Sequence, residues 1–223
     1  MKREELFITS KLFKAYATED KAGKAYNESL KKLQIDYADL YLIHQPINDT
    51  YGAYRAMSKL YKQKRVRAIG VSNFSNARLM DFVQNFEITP AVNQIECHPH
   101  FQQIQAQRFC QKLGVQMEAW SPLKQARDNI LQDKTLCEIG SKHNKTPAQV
   151  ILRWIVQRGI VTIPASKNIA HMRENFNIFD FSLDRADLLK IAKLDTPHRM
   201  LDHANPDTIK WLNEREIGTT LKR

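Results

Sequence analysis

Lys11, His44 and the pair Ser72-Asn73 each close a short apolar run, in Phe7-Ile-Thr-Ser-Lys11, Tyr41-Leu-Ile-His44-Gln-Pro46 and Gly70-Val-Ser-Asn-Phe74. A strand buried in a parallel sheet reads as a near-continuous apolar run. The carboxyl ends of such strands are where α/β barrels carry their chemistry. An ammonium, an imidazole and a hydroxyl–amide pair at three successive strand ends therefore predict one site built from several strands. A metal is not expected there. The three cysteines, Cys97, Cys110 and Cys137, are odd in number and lack C-x-x-C spacing. They describe neither a disulfide framework nor a zinc site and read as reduced packing residues.

The elements that must position these groups are legible as six strand candidates, at 6–12, 37–44, 66–72, 91–97, 115–121 and 160–164. Helical signals separate them. Ala22, Tyr26, Leu30 and Leu33 fall near one helical face, and Ser75 is placed to cap a helix carrying Leu79, Phe82 and Val83. Thr146-Pro147-Ala148-Gln149 combines a Thr cap, a proline at the first helical position and a glutamine three after the cap. That helix carries Val150, Leu152, Trp154 and Ile155 and stops near Gly159. Asp184, followed by Asp187, opens a last helix through Leu188, Ile191 and Leu194. Alternating strand and helix implies a parallel sheet with right-handed crossovers. No G-x-G-x-x-G or Walker loop supports a Rossmann or P-loop domain. Polar residues recur at nearly every strand end, which favours a (β/α)8 TIM barrel read as one domain over 1–223. Such a barrel has eight strands and six are counted, so two βα units are expected to be missing at the N-terminus.

At 43% hydrophobic and 26% charged residues, the composition is that of an ordinary globular protein. No apolar run approaches the ~18 residues of a membrane span, and the opening Met1-Lys-Arg-Glu-Glu lacks the apolar core of a signal peptide. The expectation is a cytoplasmic protein with no membrane partner. The net charge is +10, but the basic residues are scattered over Lys31-Lys32, 62–67, 142–145 and Lys222-Arg223. With no zinc finger or RNP-like segment, nucleic acid is not expected as a partner. A basic surface also suits a phosphorylated cofactor.

Four longer segments carry a resemblance: Asp39-Leu-Tyr-Leu-Ile-His-Gln-Pro46, Ala68-Ile-Gly-Val-Ser-Asn-Phe74, Val92-Asn-Gln-Ile-Glu-Cys-His-Pro99 and Glu118-Ala-Trp-Ser-Pro-Leu123. In order and spacing the chain resembles the aldo-keto reductases, in the prokaryotic branch of 2,5-diketogluconate and glyoxal-type reductases. The resemblance implies NAD(P)H-dependent reduction of aldehydes and ketones through an Asp, a Tyr, a Lys and a His. Lys11 and His44 match the lysine and the histidine. An ammonium beside a phenol, whose ordinary pKa is about 10, favours the phenolate and makes the phenol a better acid. A histidine orients the carbonyl by a hydrogen bond.

The resemblance further assigns Ser72, Asn73 and Gln94 to the nicotinamide carboxamide, Trp120 to stacking on its ring, and Ser121 and Leu123 to the pyrophosphate path. Ile163-Pro-Ala-Ser-Lys-Asn-Ile-Ala-His-Met-Arg-Glu-Asn175 corresponds to the adenosine phosphate site. The family commonly has Lys at the position of Ala165 and Arg at that of His171, so discrimination for the 2′-phosphate is expected to be weakened, with NADPH or NADH as cofactor. Ser166 remains, Lys167 and Arg173 are the nearest cations, and Glu174 and Asn175 match the adenine-contacting pair. Phe13 and Gln45 are the candidate contacts to a small carbonyl substrate. The family Asp and Tyr lie upstream of the lysine strand, where this chain has only residues 1–5. The chain is therefore expected to lack the proton donor. That leaves two expectations, a reductase deprived of part of its machinery or a catalytically inactive nucleotide-binding remnant or sensor. Open barrel edges are expected to promote self-association.

Overall fold

The computed structural model describes residues 2–196 and 198–215; Lys222-Arg223 lies outside them. In chain order it shows a 3-10 turn at Arg3–Glu5, then β1 (Thr9–Leu12), α1 (Glu19–Leu33), β2 (Ala38–Ile43), α2 (Thr50–Lys62), β3 (Val66–Ser72), α3 (Asn76–Asn85), β4 (Val92–Glu96), α4 (Ile104–Lys112) and β5 (Gln116–Trp120). There follow α5 (Lys134–His143), α6 (Pro147–Gln157), β6 (Val161–Thr162), α7 (Ile169–Phe176), α8 (Arg185–Ala192) and α9 (Pro206–Glu214). The strands lie in one sheet in the order β1-β2-β3-β4-β5-β6, and β1 with β2, β2 with β3 and β5 with β6 pair in parallel. This is the α/β alternation expected for six units of a (β/α)8 chain. Contacts group the described residues into two compact units, one from Met1–Asn93, Lys112–Val115 and Leu201–Arg223, the other from Gln94–Gln111 and Gln116–Met200.

In the first unit every residue of β2 is buried, as a parallel strand covered on both faces must be. Asp39 on that strand accepts hydrogen bonds from the Ile8 N–H, Arg3 and Arg67, each at 2.8 Å. Burial alone would raise its carboxyl; these donors hold it below the usual range. The same arrangement shortens β1. The strand expected at 6–12 joins the ladder only from Thr9, because the Ile8 N–H is committed to Asp39 and the Arg3–Glu5 turn precedes it. Ala22, Tyr26 and Leu30 form the buried stripe of α1. Leu33, expected on that stripe, is 46% exposed, because Gln34 adopts a left-handed conformation (φ 55°) that ends the helix.

In the second unit α6 opens on the expected capping box, with Thr146 and Gln149 satisfying each other's backbone N–H groups. Val150, Leu152, Trp154 and Ile155 are buried behind it. β6 is two residues long rather than five, since Pro164 has no N–H to extend the ladder. Asp184 and Asp187 cap α8, which stops at Ala192 rather than Leu194. Nor is α8 the last helix. α9 follows in the first unit, with Asn205 as cap and Pro206 at its first position.

Candidate functional site

The first unit gathers Lys11, Phe13, His44, Gln45, Ser72 and Asn73. Lys11 is in register with Leu42, so two residues on, His44 belongs to the same face of the sheet as Lys11. The His44 N–H donates to the Leu12 carbonyl at 3.1 Å, which fixes the end of β2 against the end of β1. The Phe13 ring meets the His44 ring edge-on with centroids 6.5 Å apart. Burial, the Lys11 ammonium and His203 together push the His44 imidazole down to about 4. At neutral pH it is an uncharged donor–acceptor beside a cation.

Ser72 and Asn73 lie at the end of β3. Asn73 takes a left-handed conformation (φ 64°), which asparagine tolerates better than most residues. Its amide nitrogen donates to the His44 carbonyl at 3.1 Å and lies 3.4 Å from Gln45 Oε1. Two residues that the sequence did not single out hold this loop. Asn93, buried, donates to the Phe74 carbonyl at 2.9 Å and accepts from the Phe74 N–H at 3.4 Å. His203, from the segment leading into α9, places Nε2 2.7 Å from Gln45 Oε1. Gly70 is required upstream, because a Cβ there would stand 2.6 Å from the Val92 carbonyl oxygen.

Tyr51 and Tyr54, at the start of α2 after His44, are committed elsewhere. Tyr51 donates its hydroxyl to the Asp81 carboxylate, and Tyr54 donates to the Ile88 carbonyl at 3.2 Å. Burial drives the Tyr54 hydroxyl above its ordinary range, the wrong direction for a proton donor.

The second unit holds the remaining assigned residues. Gln94 is buried and donates from its amide to the Glu118 carboxylate on β5. Trp120 ends β5 half-buried, and its carbonyl accepts from the Cys97 N–H at 3.4 Å. Ser121 follows with φ 52°, and Leu123 is half-buried. Lys124, next in line, is buried and ion-paired with Asp128; nothing in its sequence setting marked it. The Ser166 hydroxyl accepts from the Asn168 N–H at 3.0 Å, and Asn168 caps α7. Lys167, His171 and Arg173 are exposed on this turn and helix. Glu174 accepts from the Thr146 hydroxyl, while Asn175 is half-buried. Cys97 and Cys110 are buried, and burial pushes the Cys97 thiol up to about 11, which suits packing rather than nucleophilic use. Among the described residues, no group of three His, Cys, Asp or Glu is placed to hold a metal. No helix there is long and apolar enough to cross a membrane.

The class of this parallel α/β sheet follows from sequence comparison. The aldo/keto reductase family model matches residues 1–196, and the chain belongs to that family. It is 46% identical over 208 residues to the glyoxal reductase of Bacillus subtilis (strain 168), covering 93% of this chain and 74% of the relative. It is 42% identical over 201 residues to the methylglyoxal reductase DkgA of Salmonella typhimurium (strain LT2), covering 89% and 72%. Among solved structures, an aldo-keto reductase from a Medee basin deep-sea metagenome library superposes with a TM-score of 0.89 at 38% identity, over 91% of this chain and 76% of that one. A Bombyx mori aldo-keto reductase in complex with NADP superposes with a TM-score of 0.86 at 34% identity, over 92% and 72%.

Proposed function

We propose that this chain binds NADPH or NADH and a small aldehyde or ketone for carbonyl reduction, with Lys11 and His44 at the reacting carbonyl. The observation that carries this reading is the placement of Lys11 and His44 on one face at adjoining strand ends, where burial and the ammonium hold the imidazole below its ordinary range. A neutral imidazole donates one hydrogen bond to a carbonyl oxygen without adding a second charge beside the ammonium. The cofactor, when bound, supplies hydride. Ser72, Asn73 and Gln94 are the residues proposed to hold its carboxamide, and Trp120 its ring. Ser121 and Leu123 would line the pyrophosphate, and Ser166, Lys167, His171, Glu174 and Asn175 the adenosine end. The residue types fit a phosphate: Lys167 and His171 are exposed and Ser166 half-buried in the turn and first residues of α7.

The hydroxyl bonds of Tyr51 and Tyr54 favour a second reading, a nucleotide-binding module that turns over slowly or not at all. One pair of measurements separates the two. NADPH should quench the tryptophan fluorescence of the chain, and Trp120→Phe should remove most of the quench. Consumption of NADPH with glyoxal at ordinary rates, abolished by Lys11→Met and His44→Ala, supports the reductase; cofactor binding without consumption supports the module. Neither binding nor consumption would sink both.

A further inference from the structure

Between β6 and α7 the second unit carries a groove of about 510 Å³, lined by Ile160, Val161, Met172, Phe176, Ile178 and Phe179 among others. That volume lies within the range of small-molecule sites, which are mostly apolar with a few polar groups. Met172 and Phe176 stand one helical turn apart on α7 and so share a face, and the Phe176 and Phe179 rings lie 5.8 Å apart. The same three side chains continue into a more open depression that also takes in Arg173 and Asp180. The two charges there differ in what they face. Asp180 accepts from the Lys145 ammonium at 2.7 Å. Arg173 is exposed, and among the described residues no hydrogen bond or ion pair engages its guanidinium. An apolar channel that ends at one unopposed cation is complementary to an apolar chain that ends in an anion.

We propose that this groove binds a free medium-chain fatty acid. Its carboxylate pairs with Arg173, and its alkyl chain runs along Met172, Phe176 and Phe179 toward Ile160 and Val161. The site stands apart from the carbonyl and nicotinamide positions proposed above and does not depend on them. Asn175, which lines the groove, is the one residue it shares with the proposed adenosine end.

The test uses the 223-residue chain and NMR titration with hexanoate, octanoate and decanoate below their micellar concentrations, and with uncharged 1-octanol. Each added methylene should tighten binding about two- to fourfold as it leaves water. Octanoate should bind about two- to fivefold tighter than 1-octanol, the gain that an exposed ion pair allows. Arg173→Gln should erase that difference and leave 1-octanol unchanged. Phe176→Ser with Phe179→Ser, both at exposed positions, should weaken every probe and flatten the dependence on chain length. Absence of saturable binding, an affinity independent of chain length, or an octanoate advantage that survives Arg173→Gln overturns the proposal. So does a chain-length dependence unchanged in the double serine variant, which would seat the alkyl chain elsewhere. Three further readouts on the same samples decide between occupants. Sedimentation should show octanoate dissolving any self-associated form; association that excludes octanoate gives the groove to a second copy. Phosphatidylglycerol vesicles should not retain the chain; retention without binding of the free acids gives it to a lipid surface. Saturating NADPH should leave the octanoate affinity unchanged; full displacement makes the groove part of the adenosine end. Each of these alternative results overturns the proposal.

Discussion

The ammonium of Lys11 and the imidazole of His44 share one face at adjoining strand ends, where burial first and the ammonium second keep the imidazole uncharged. The folded protein therefore resists a proton that the unfolded chain takes up near pH 6.5. Between about pH 6.5 and 4 the unfolded state therefore binds more protons, and stability falls as the pH is lowered. At 1.36 kcal/mol per unit, the loss attributable to His44 reaches roughly 3 kcal/mol once the pH is below the folded value. Urea unfolding at a series of pH values should show this slope, and His44→Gln should flatten it. An equally steep slope in the variant would assign the effect to other groups, such as His100, which burial and Lys124 also hold below its ordinary value.

Gly70 sets the path of β3 toward Ser72 and Asn73. In Gly70→Ala the new Cβ would meet backbone at Val92 and the Leu42 side chain at 2.8 Å. Overpacking of this kind costs about 1–3 kcal/mol, and a backbone obstacle cannot rotate away. Chemical denaturation should give a loss near the upper end, with weaker NADPH binding because the strand end shifts. Gly23→Ala, where nothing lies within 4 Å, is the control and should be neutral or mildly stabilising.

What the sequence made legible follows from how local each signal is. Lys11, His44 and Ser72 could be placed because a buried strand announces itself within a few residues. The Thr146 and Asp184 caps could be placed because a capping box spans four. α9 went unnoticed although Asn205-Pro206 is a start signal, because it is followed by no long apolar stripe; its one buried residue is Leu212. The stretch after β5 holds Gln125, Ala126, Asp128 and Asn129 at positive φ with no glycine to mark it. His203 could not be read at all, since its contact with Gln45 joins positions 158 apart. Asn93 hides inside a strand, where an asparagine reads as an interruption rather than as the clamp on Phe74 that it forms.

Ala165 and His171 are both exposed near the start of α7. Introducing Ala165→Lys and His171→Arg should raise the preference for NADPH over NADH. Charge-assisted hydrogen bonds contribute about 1.5–3 kcal/mol each, so at least a tenfold change in the ratio of dissociation constants is expected. Equal shifts for the two cofactors would place the 2′-phosphate elsewhere.

β6 closes the strand order, and the surface beside it is apolar. Phe176 is 76% exposed and Phe179 62%, and their rings lie 5.8 Å apart. An edge strand beside exposed apolar surface favours pairing with another chain. Sedimentation should show association that grows with concentration, and Val161→Lys with Phe176→Lys should reverse it. A strictly monomeric wild type at 100 µM, about a typical working concentration for such weak pairing, would refute the expectation.

The bond from the buried Lys14 ammonium to the Asn213 carbonyl, 2.6 Å long, ties α9 to the loop after β1 across 199 positions. With Leu212 as its one buried side chain, α9 has little packing to hold it and belongs to the part of the protein that opens first. Each such opening would carry His203 away from Gln45 while the sheet beneath stays intact. Amide exchange at 206–214 should therefore be faster than in β2 and faster still in Lys14→Met. Its rate is a clock for how often Gln45 is released from its clamp.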